Sequence, residues 1–227
     1  MKILALDSSN QALSVALVED GRLLAETLLA IKKNHSISLM PTVDFLVAQV
    51  GWTPKDLERI VVAQGPGSYT GLRVAVATAK TLAYTLQIDL IGVSSLQSLV
   101  PAGLSGRVIP LIDARRNSVY AGVYENGRAT QADQYWVFEE LLASLSGQEN
   151  LTFVGEVTNF VEQINQVFPE AAIQTSLPSA YQLAVIGQDL SVVEVTSFEP
   201  AYLKRVEAEE NWLKDHAAGN ENYIKRV

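Results

Sequence analysis

The chain has 227 residues, of which 48% are hydrophobic and 19% are charged, and its formal net charge is −8 at pH 7. This composition is typical of a folded globular protein and excludes a disordered one. The acidic surplus repels phosphate backbones, so tight binding of RNA by the chain alone is disfavoured unless a local basic patch exists. The absence of cysteine excludes disulfides, thiolate nucleophiles and sulfur-ligated zinc within the chain. No apolar run approaches the roughly 20 residues of a membrane span, so we expect a cytoplasmic protein without a membrane segment.

Strands and helices alternate in the first half of the chain. The hydrophobic pattern predicts strands at residues 2–6, 12–18 and 22–29, a helix at 37–50, a strand at 59–63, a helix at 71–86 and a strand at 90–93. Pro41 falls early in the first helix, which we expect to begin or to kink there. The alternation implies a partly parallel sheet covered by helices, downstream of an antiparallel meander.

The opening pattern returns in the second half. Residues 3–22, ILALDSSNQALSVALVEDGR, align without a gap with residues 109–128, IPLIDARRNSVYAGVYENGR. Asp7 meets Asp113, and four further identities occur at the same offset of 106 residues. Internal duplication is therefore favoured over two unrelated hairpins with similar turns.

The paired hairpins predict a fold, and their aspartates are either candidate ligand groups or turn residues of the hairpins. Asp7, Ser8 and Ser9 follow the first strand, and Asp113 occupies the equivalent place in the second half, where such groups can hold phosphate or a magnesium-bound water. Two such hairpins across a cleft resemble the way actin, hexokinase and DnaK-type chaperones hold ATP. We therefore predict an α/β protein with a duplicated actin-like (ASKHA) fold, consisting of two RNase-H-like lobes, each a mixed sheet flanked by helices. The first lobe is expected at residues 1–98, and the second at 99–227 with a C-terminal extension.

A glycine-rich turn, QGPGSYTGLR, joins a strand to a helix at residues 64–73. Free N–H groups and the helix dipole at such a turn attract anions, and Ser68 or Thr70 can cap the helix. A tight turn with close packing explains the glycines equally well, so both interpretations stay open. No Gly-Lys-Ser/Thr follows, so this is not the phosphate loop of GTPases. The candidate cofactor-binding residues are Asp7, Ser8, Ser9, Ser68, Thr70 and Asp113.

His35 opens the HSISL segment. A metal-binding helix needs a second ligand one turn later, and position 39 is leucine, while the other histidine is His216. We therefore predict no metal site and no catalytic residue, and we interpret His35 as a cap or a surface contact.

Five segments carry a family resemblance: ILALDSS, HSISLMP, GPGSYTGLRVAVATAK, DARRNSVYAGVY and EPAYLKR. The chain resembles the TsaB family, also called YeaZ, the non-catalytic paralogues of the tRNA-modifying protein TsaD. TsaD-like proteins carry a His-x-x-x-His metal pair, from which the combination of His35 and Leu39 departs. The resemblance implies that a TsaD-like protein transfers threonylcarbamoyl to the adenosine beside the tRNA anticodon, while this chain serves as a scaffold and dimerisation subunit.

The resemblance also implies partners. These are a TsaD-like subunit as heterodimer partner, a TsaE-like ATPase, and tRNA reached only through the complex; a homodimer of the free chain stays open. No cofactor is expected on the chain alone, and binding of ATP or ADP in the complex stays open.

The pairing surface is expected on the two N-terminal helices, although burial within the chain would explain their pattern as well. The candidate partner-binding residues are Leu39, Met40, Val43, Leu72, Val76 and Ala79.

An autonomous glycoprotease-like peptidase and a small ASKHA-type ATP-binding kinase are the alternative functions.

Overall fold

The computed structural model describes residues 1–31 and 35–204. Its strands form two five-stranded mixed sheets. The first sheet contains β1 (Lys2–Asp7), β2 (Leu13–Glu19), β3 (Arg22–Leu29), β4 (Arg59–Gly65) and β5 (Asp89–Ser94). The second contains β6 (Arg107–Asp113), β7 (Ser118–Glu125), β8 (Arg128–Val137), β9 (Leu151–Gly155) and β10 (Ala172–Thr175).

The two sheets have the same topology. Their strand orders are β3-β2-β1-β4-β5 and β8-β7-β6-β9-β10. In the first sheet β1 runs antiparallel to β2 and parallel to β4, and in the second β6 does the same with β7 and β9. This equivalence confirms the duplication and the actin-like fold with its two RNase-H-like lobes.

Five α-helices complete the described part of the chain: α1 (His35–Gln49), α2 (Tyr69–Leu86), α3 (Phe138–Ser144), α4 (Val161–Val167) and α5 (Ala180–Gly187). Short 3-10 turns lie at Pro54–Asp56, Gln97–Leu99 and Thr158–Phe160. The expectation that the first helix begins at Pro41 is wrong, because α1 begins at His35 and contains Pro41. Among the described residues, no helix has the length and apolar character needed to cross a membrane.

Alternation along the strands gives the first sheet two buried faces. Leu4, Leu6 and their neighbours pack with α1 and α2, whereas Ile3 and Ala5 pack with Leu183 and Ala184 of α5 on the opposite face. Because side chains alternate along a strand, both faces must be covered, and helices cover both.

The second sheet is covered differently. α3 and α4 pack on one face through Phe138 and Ile164. The other face packs against Leu96 and Leu99, in and beside the turn that joins the lobes. The connection between the lobes is therefore part of the core, which is why no flexible linker occurs in the sequence.

The predicted boundary at residue 98 separates the sheets but not the packed lobes. The assignment of all residues after 98 to the second lobe is wrong, because α5 packs on the first sheet. The C-terminal strap, residues 192–204, also returns to the first lobe: the Val193 N–H donates to the Leu90 carbonyl at 2.9 Å, and Phe198 is buried in the first core. The rest of the predicted C-terminal extension, with His216, lies outside the described residues.

Candidate functional site

A cleft of about 530 Å³ lies where the two hairpins face each other. Its walls include Ser9 and Gln11 from the first hairpin, Arg115 from the second, Tyr120 on β7, and Glu156 just after β9. Four of the six residues predicted to bind a cofactor line this cleft: Ser9, Ser68, Thr70 and Asp113. The duplication brings them together, because each hairpin ends at the same edge of its sheet.

Asp7 and Ser8 are buried and do not line the cleft. The Asp7 carboxylate accepts hydrogen bonds from the Ser9 N–H at 2.8 Å, the Ser9 hydroxyl at 2.7 Å and the Ser98 hydroxyl at 2.8 Å. Burial raises the pKa of Asp7 above its usual range. Its oxygens are therefore occupied in joining the first hairpin to the turn between the lobes.

The glycines of the turn before α2 allow close packing against the first hairpin. A Cβ atom at Gly67 would lie 2.2 Å from the Ser9 carbonyl oxygen, and one at Gly71 would lie 1.9 Å from the Ser8 carbonyl oxygen. The Ser68 N–H donates to the Ser9 carbonyl at 2.6 Å. Of the two interpretations of this turn, the structure supports close packing. Ser68 also caps α2, since its hydroxyl accepts from the Gly71 N–H at 3.3 Å.

Two carboxylates form an acidic floor in the cleft. Asp113 accepts from the Arg115 N–H at 2.7 Å and from the Asn159 amide at 3.0 Å. Glu156 accepts from the Asp113 N–H at 2.8 Å, and burial raises the pKa of Glu156. These carboxylates repel phosphate, so the interior of the cleft is a poor site for a nucleotide tail.

The predicted partner-binding residues are mostly internal. Leu39, Val43, Leu72, Val76 and Ala79 belong to the core of the first lobe, and none is more than 5% exposed. These side chains therefore support the helices from inside, Leu39 alone reaches the groove between α1 and α2, and their contact with a partner stays a prediction. Met40 is the exception, with 44% of its surface exposed.

The opposite side of the same helices carries an exposed apolar surface, which we call the outer face. Ile37 and Phe45 on α1 are 73% and 58% exposed, and Tyr84 on α2 is 62% exposed. A groove of about 480 Å³ also lies between the two helices, with Met40 and Ala77 in its walls. Ile37, Phe45 and Tyr84 were not predicted from the sequence, although Ile37 and Phe45 lie two residues from buried Leu39 and Val43, a rotation of about 200° that places them on the outward side.

His35 lies at the start of α1, with its Nε2 atom 3.1 Å from the Asn10 carbonyl oxygen. One turn later Leu39 is buried in the core. Within residues 1–31 and 35–204, no group of three or more histidine or acidic side chains could hold a metal ion. His35 therefore joins α1 to the first hairpin through a partly buried contact with a distant carbonyl, which is a surface contact rather than a helix cap.

Comparison with known proteins identifies the family. The model of the family described as TsaD, tRNA N6-adenosine threonylcarbamoyltransferase, matches residues 22–212. The tRNA threonylcarbamoyladenosine biosynthesis protein TsaB of Bacillus subtilis is 38% identical over 94% of this chain and 99% of its own length. The chain belongs to the TsaB family.

Further relatives agree with this membership. The TsaB protein of Escherichia coli is 29% identical over 90% of this TsaB-family chain and 95% of its own length. A Pseudomonas aeruginosa crystal structure, described as an uncharacterized protein with similarity to peptidase YeaZ, is 30% identical with a TM-score of 0.79, covering 89% of this chain and 99% of that one. The resemblance predicted from the five sequence segments is confirmed.

Proposed function

We propose that this TsaB-family chain is a non-catalytic subunit that pairs with a TsaD-like protein and supports its transfer of threonylcarbamoyl to the adenosine beside the tRNA anticodon. The observation that carries the proposal is similarity along nearly the whole chain to proteins named for tRNA threonylcarbamoyladenosine biosynthesis. A TsaE-like ATPase and tRNA are the further components of this proposed cytoplasmic complex.

The chemistry available in the chain supports an accessory role. A metal pair on α1 would need a ligand at Leu39, which is a buried apolar side chain. The Asp7 carboxylate, at the end of β1, is already held by Ser9 and Ser98. Transfer chemistry is therefore assigned to the partner.

The outer face of α1 and α2 is the proposed docking surface. Its exposed aromatic and aliphatic side chains resemble the composition of interface cores, in which tyrosine, phenylalanine and methionine are enriched. Residues on the inner side of the helices, including Val76, support this surface by packing in the core. The proposed interface therefore still lies on α1 and α2, but its contacts are made by the exposed residues of these helices.

ATP or ADP is proposed to bind only in the assembled complex. Backbone carbonyls of the first hairpin occupy the space beside Gly67 and Gly71, and the floor of the cleft is acidic. Both features weaken phosphate binding by the chain alone.

Reconstitution with the TsaD-like protein of the same organism tests this function. Size-exclusion chromatography with light scattering should show a mixed complex that neither protein forms alone. Threonylcarbamoyl transfer to tRNA, assayed with the remaining components present, should then require this chain.

A further inference from the structure

Three cations lie near the mouth of the inter-lobe cleft, and none of them has a carboxylate partner within residues 1–31 and 35–204. In the described part of the chain, the ion pairs involve the N-terminus, Lys2, Arg59 and Arg107, and none involves Arg73, Arg115 or Lys204. In a chain with a net charge of −8, three neighbouring cations that form no ion pair within the described residues make a local basic patch.

Two of these cations are held against tyrosine rings. The Arg73 guanidinium lies 4.6 Å from the centre of the Tyr69 ring, and the Lys204 ammonium lies 4.6 Å from the centre of the Tyr135 ring. The Lys204 ammonium also donates to the Tyr135 hydroxyl at 3.2 Å. A ring face attracts a cation without neutralising it, so both charges remain available to an anion.

The aromatic rings connect these cations to the cleft. Tyr69 lines the cleft directly, as does Arg115. Tyr120 also lines it, and its ring packs edge-on against Tyr135 at 5.9 Å. We call Arg73, Arg115 and Lys204, together with the tyrosines at 69, 135 and 202, the cationic rim.

The C-terminal strap brings Lys204 and Tyr202 to this rim. The Ala201 N–H donates to the Gln64 carbonyl at 2.8 Å, and the Tyr202 ring lies 4.9 Å from the Tyr69 ring. Gly65 is required at this crossing, because its φ is +129° and a Cβ atom there would lie 2.5 Å from the Ala201 carbonyl oxygen. The first glycine of the glycine-rich turn thus makes room for the strap.

We propose that the cationic rim is a contact surface for a single-stranded segment of RNA in the assembled complex, an inference that rests on the proposed function. Lysine and arginine neutralise phosphates, and tyrosine rings and guanidinium planes stack on unpaired bases. The acidic floor formed by Asp113 and Glu156 directs the phosphates across the mouth of the cleft, since they are repelled from its interior. The negative charge of the rest of the chain explains why the rim needs a bound partner to hold RNA.

The test is RNA binding by the complex of this chain with its TsaD-like partner, measured by fluorescence anisotropy of labelled tRNA. The double variant Arg115→Ala/Lys204→Ala spares Arg73, which lines the groove of the outer face. We expect its affinity to fall about tenfold, and the slope of log K against log salt to become shallower by about 1.4, because each phosphate contact to a single strand contributes about 0.7.

The matched control is Arg22→Ala/Arg128→Ala, which removes the same charge at exposed positions. Arg22 and Arg128 follow the β2–β3 and β7–β8 turns, at the end of each sheet that is far from the cleft. This control should bind RNA like the wild type, and Lys204→Arg should retain affinity. Thermal melting of each variant checks that the strap remains folded.

Equal RNA affinity and equal salt slopes for the wild type and both double variants would overturn the inference. A parallel ADP titration separates the two sources of phosphate: loss of ADP binding with unchanged RNA binding would reassign the rim to a free nucleotide. If the wild-type chain forms no complex with the partner, the proposed function itself fails, and this inference with it.

Discussion

Gly71 illustrates how one residue can suggest a ligand site and serve packing instead. It lies in the first turn of α2, where glycine costs about 1 kcal/mol relative to alanine in helix propensity. The Ser8 carbonyl oxygen occupies the place of its Cβ atom at 1.9 Å, so glycine is required by the neighbouring hairpin. Asp7 is a similar case, since its carboxylate is consumed by hydrogen bonds within the chain.

Replacement of Gly71 by alanine should favour the helix through its propensity but should crowd the Ser8 carbonyl. We expect Gly71→Ala to lower the free energy of unfolding by several kcal/mol, on the order of an overpacked core site, despite the gain in helix propensity. Urea denaturation measures this change, and Thr70→Ala, at an exposed neighbouring position, is the control. A more stable Gly71→Ala variant would show that propensity prevails and that the hairpin can move away.

Glu156 makes stability depend on pH. Burial raises the pKa of its carboxyl above the usual 4.5, and nearby Asp113 adds to the increase. Folding thus favours the protonated form, whose contribution is fully present below the usual pKa and is lost as pH rises through the raised one. The wild type should lose stability relative to Glu156→Gln as the pH rises from about 4 through the raised pKa of Glu156. Parallel curves from urea denaturation at several pH values would contradict this assignment.

At the scale of elements, the sequence predicts the cores of the strands and helices but not every edge. β3 has the predicted bounds, and β1 ends one residue later than predicted. β8 and β10 were not predicted, because β8 is an edge strand of largely polar residues and β10 has four residues that are mostly exposed. An edge strand buries little apolar surface, so its sequence carries a weak period-two signal.

The helices α1 and α2 were predicted, but their inner and outer sides were not distinguished. Val74, Val76 and Leu82 make α2 apolar around more than one side, so periodicity alone cannot show which side faces a partner. The packing decides this, because Val76 is 2% exposed and Tyr84 is 62% exposed.

The same charge at these two positions should have opposite consequences. Val76→Asp buries an unpaired charge and should destabilise the fold by several kcal/mol. Tyr84→Asp should keep the melting temperature but weaken the complex with the TsaD-like partner by at least about tenfold, as expected at an interface core. Calorimetry of each variant and titration with the partner measure both effects, with Val192→Asp as an exposed control in the strap. Wild-type affinity of a folded Tyr84→Asp variant would exclude the outer face as the docking surface.

At the scale of the molecule, hydrogen bonds made by side chains join the two lobes. The Ser94 hydroxyl, at the end of β5, donates to the Asp133 carboxylate on β8, and the Tyr124 hydroxyl donates to the same carboxylate at 2.7 Å. Burial strongly raises the pKa of Tyr124, so its hydroxyl remains a donor at neutral pH. The Gln182 amide of α5 donates to the Val100 carbonyl at 2.7 Å, which fixes the turn between the lobes.

The duplication could be predicted from the sequence, whereas the strap could not. Asp7 and Asp113 reveal the repeat because both hairpins keep their turn residues at one offset. The strap is irregular and is anchored by backbone hydrogen bonds and the single buried aromatic Phe198, so it leaves no periodic pattern. Its position shows that the cationic rim depends on contacts between distant parts of the chain.

Reconstitution of threonylcarbamoyl transfer is the measurement that most directly tests the accessory role. With the TsaD-like protein, the ATPase, the activated substrate and tRNA present, modified adenosine should form only when this chain is added, and light scattering should show the mixed complex in the same samples. Full transfer activity without this chain, or no complex between the two proteins, would contradict the account.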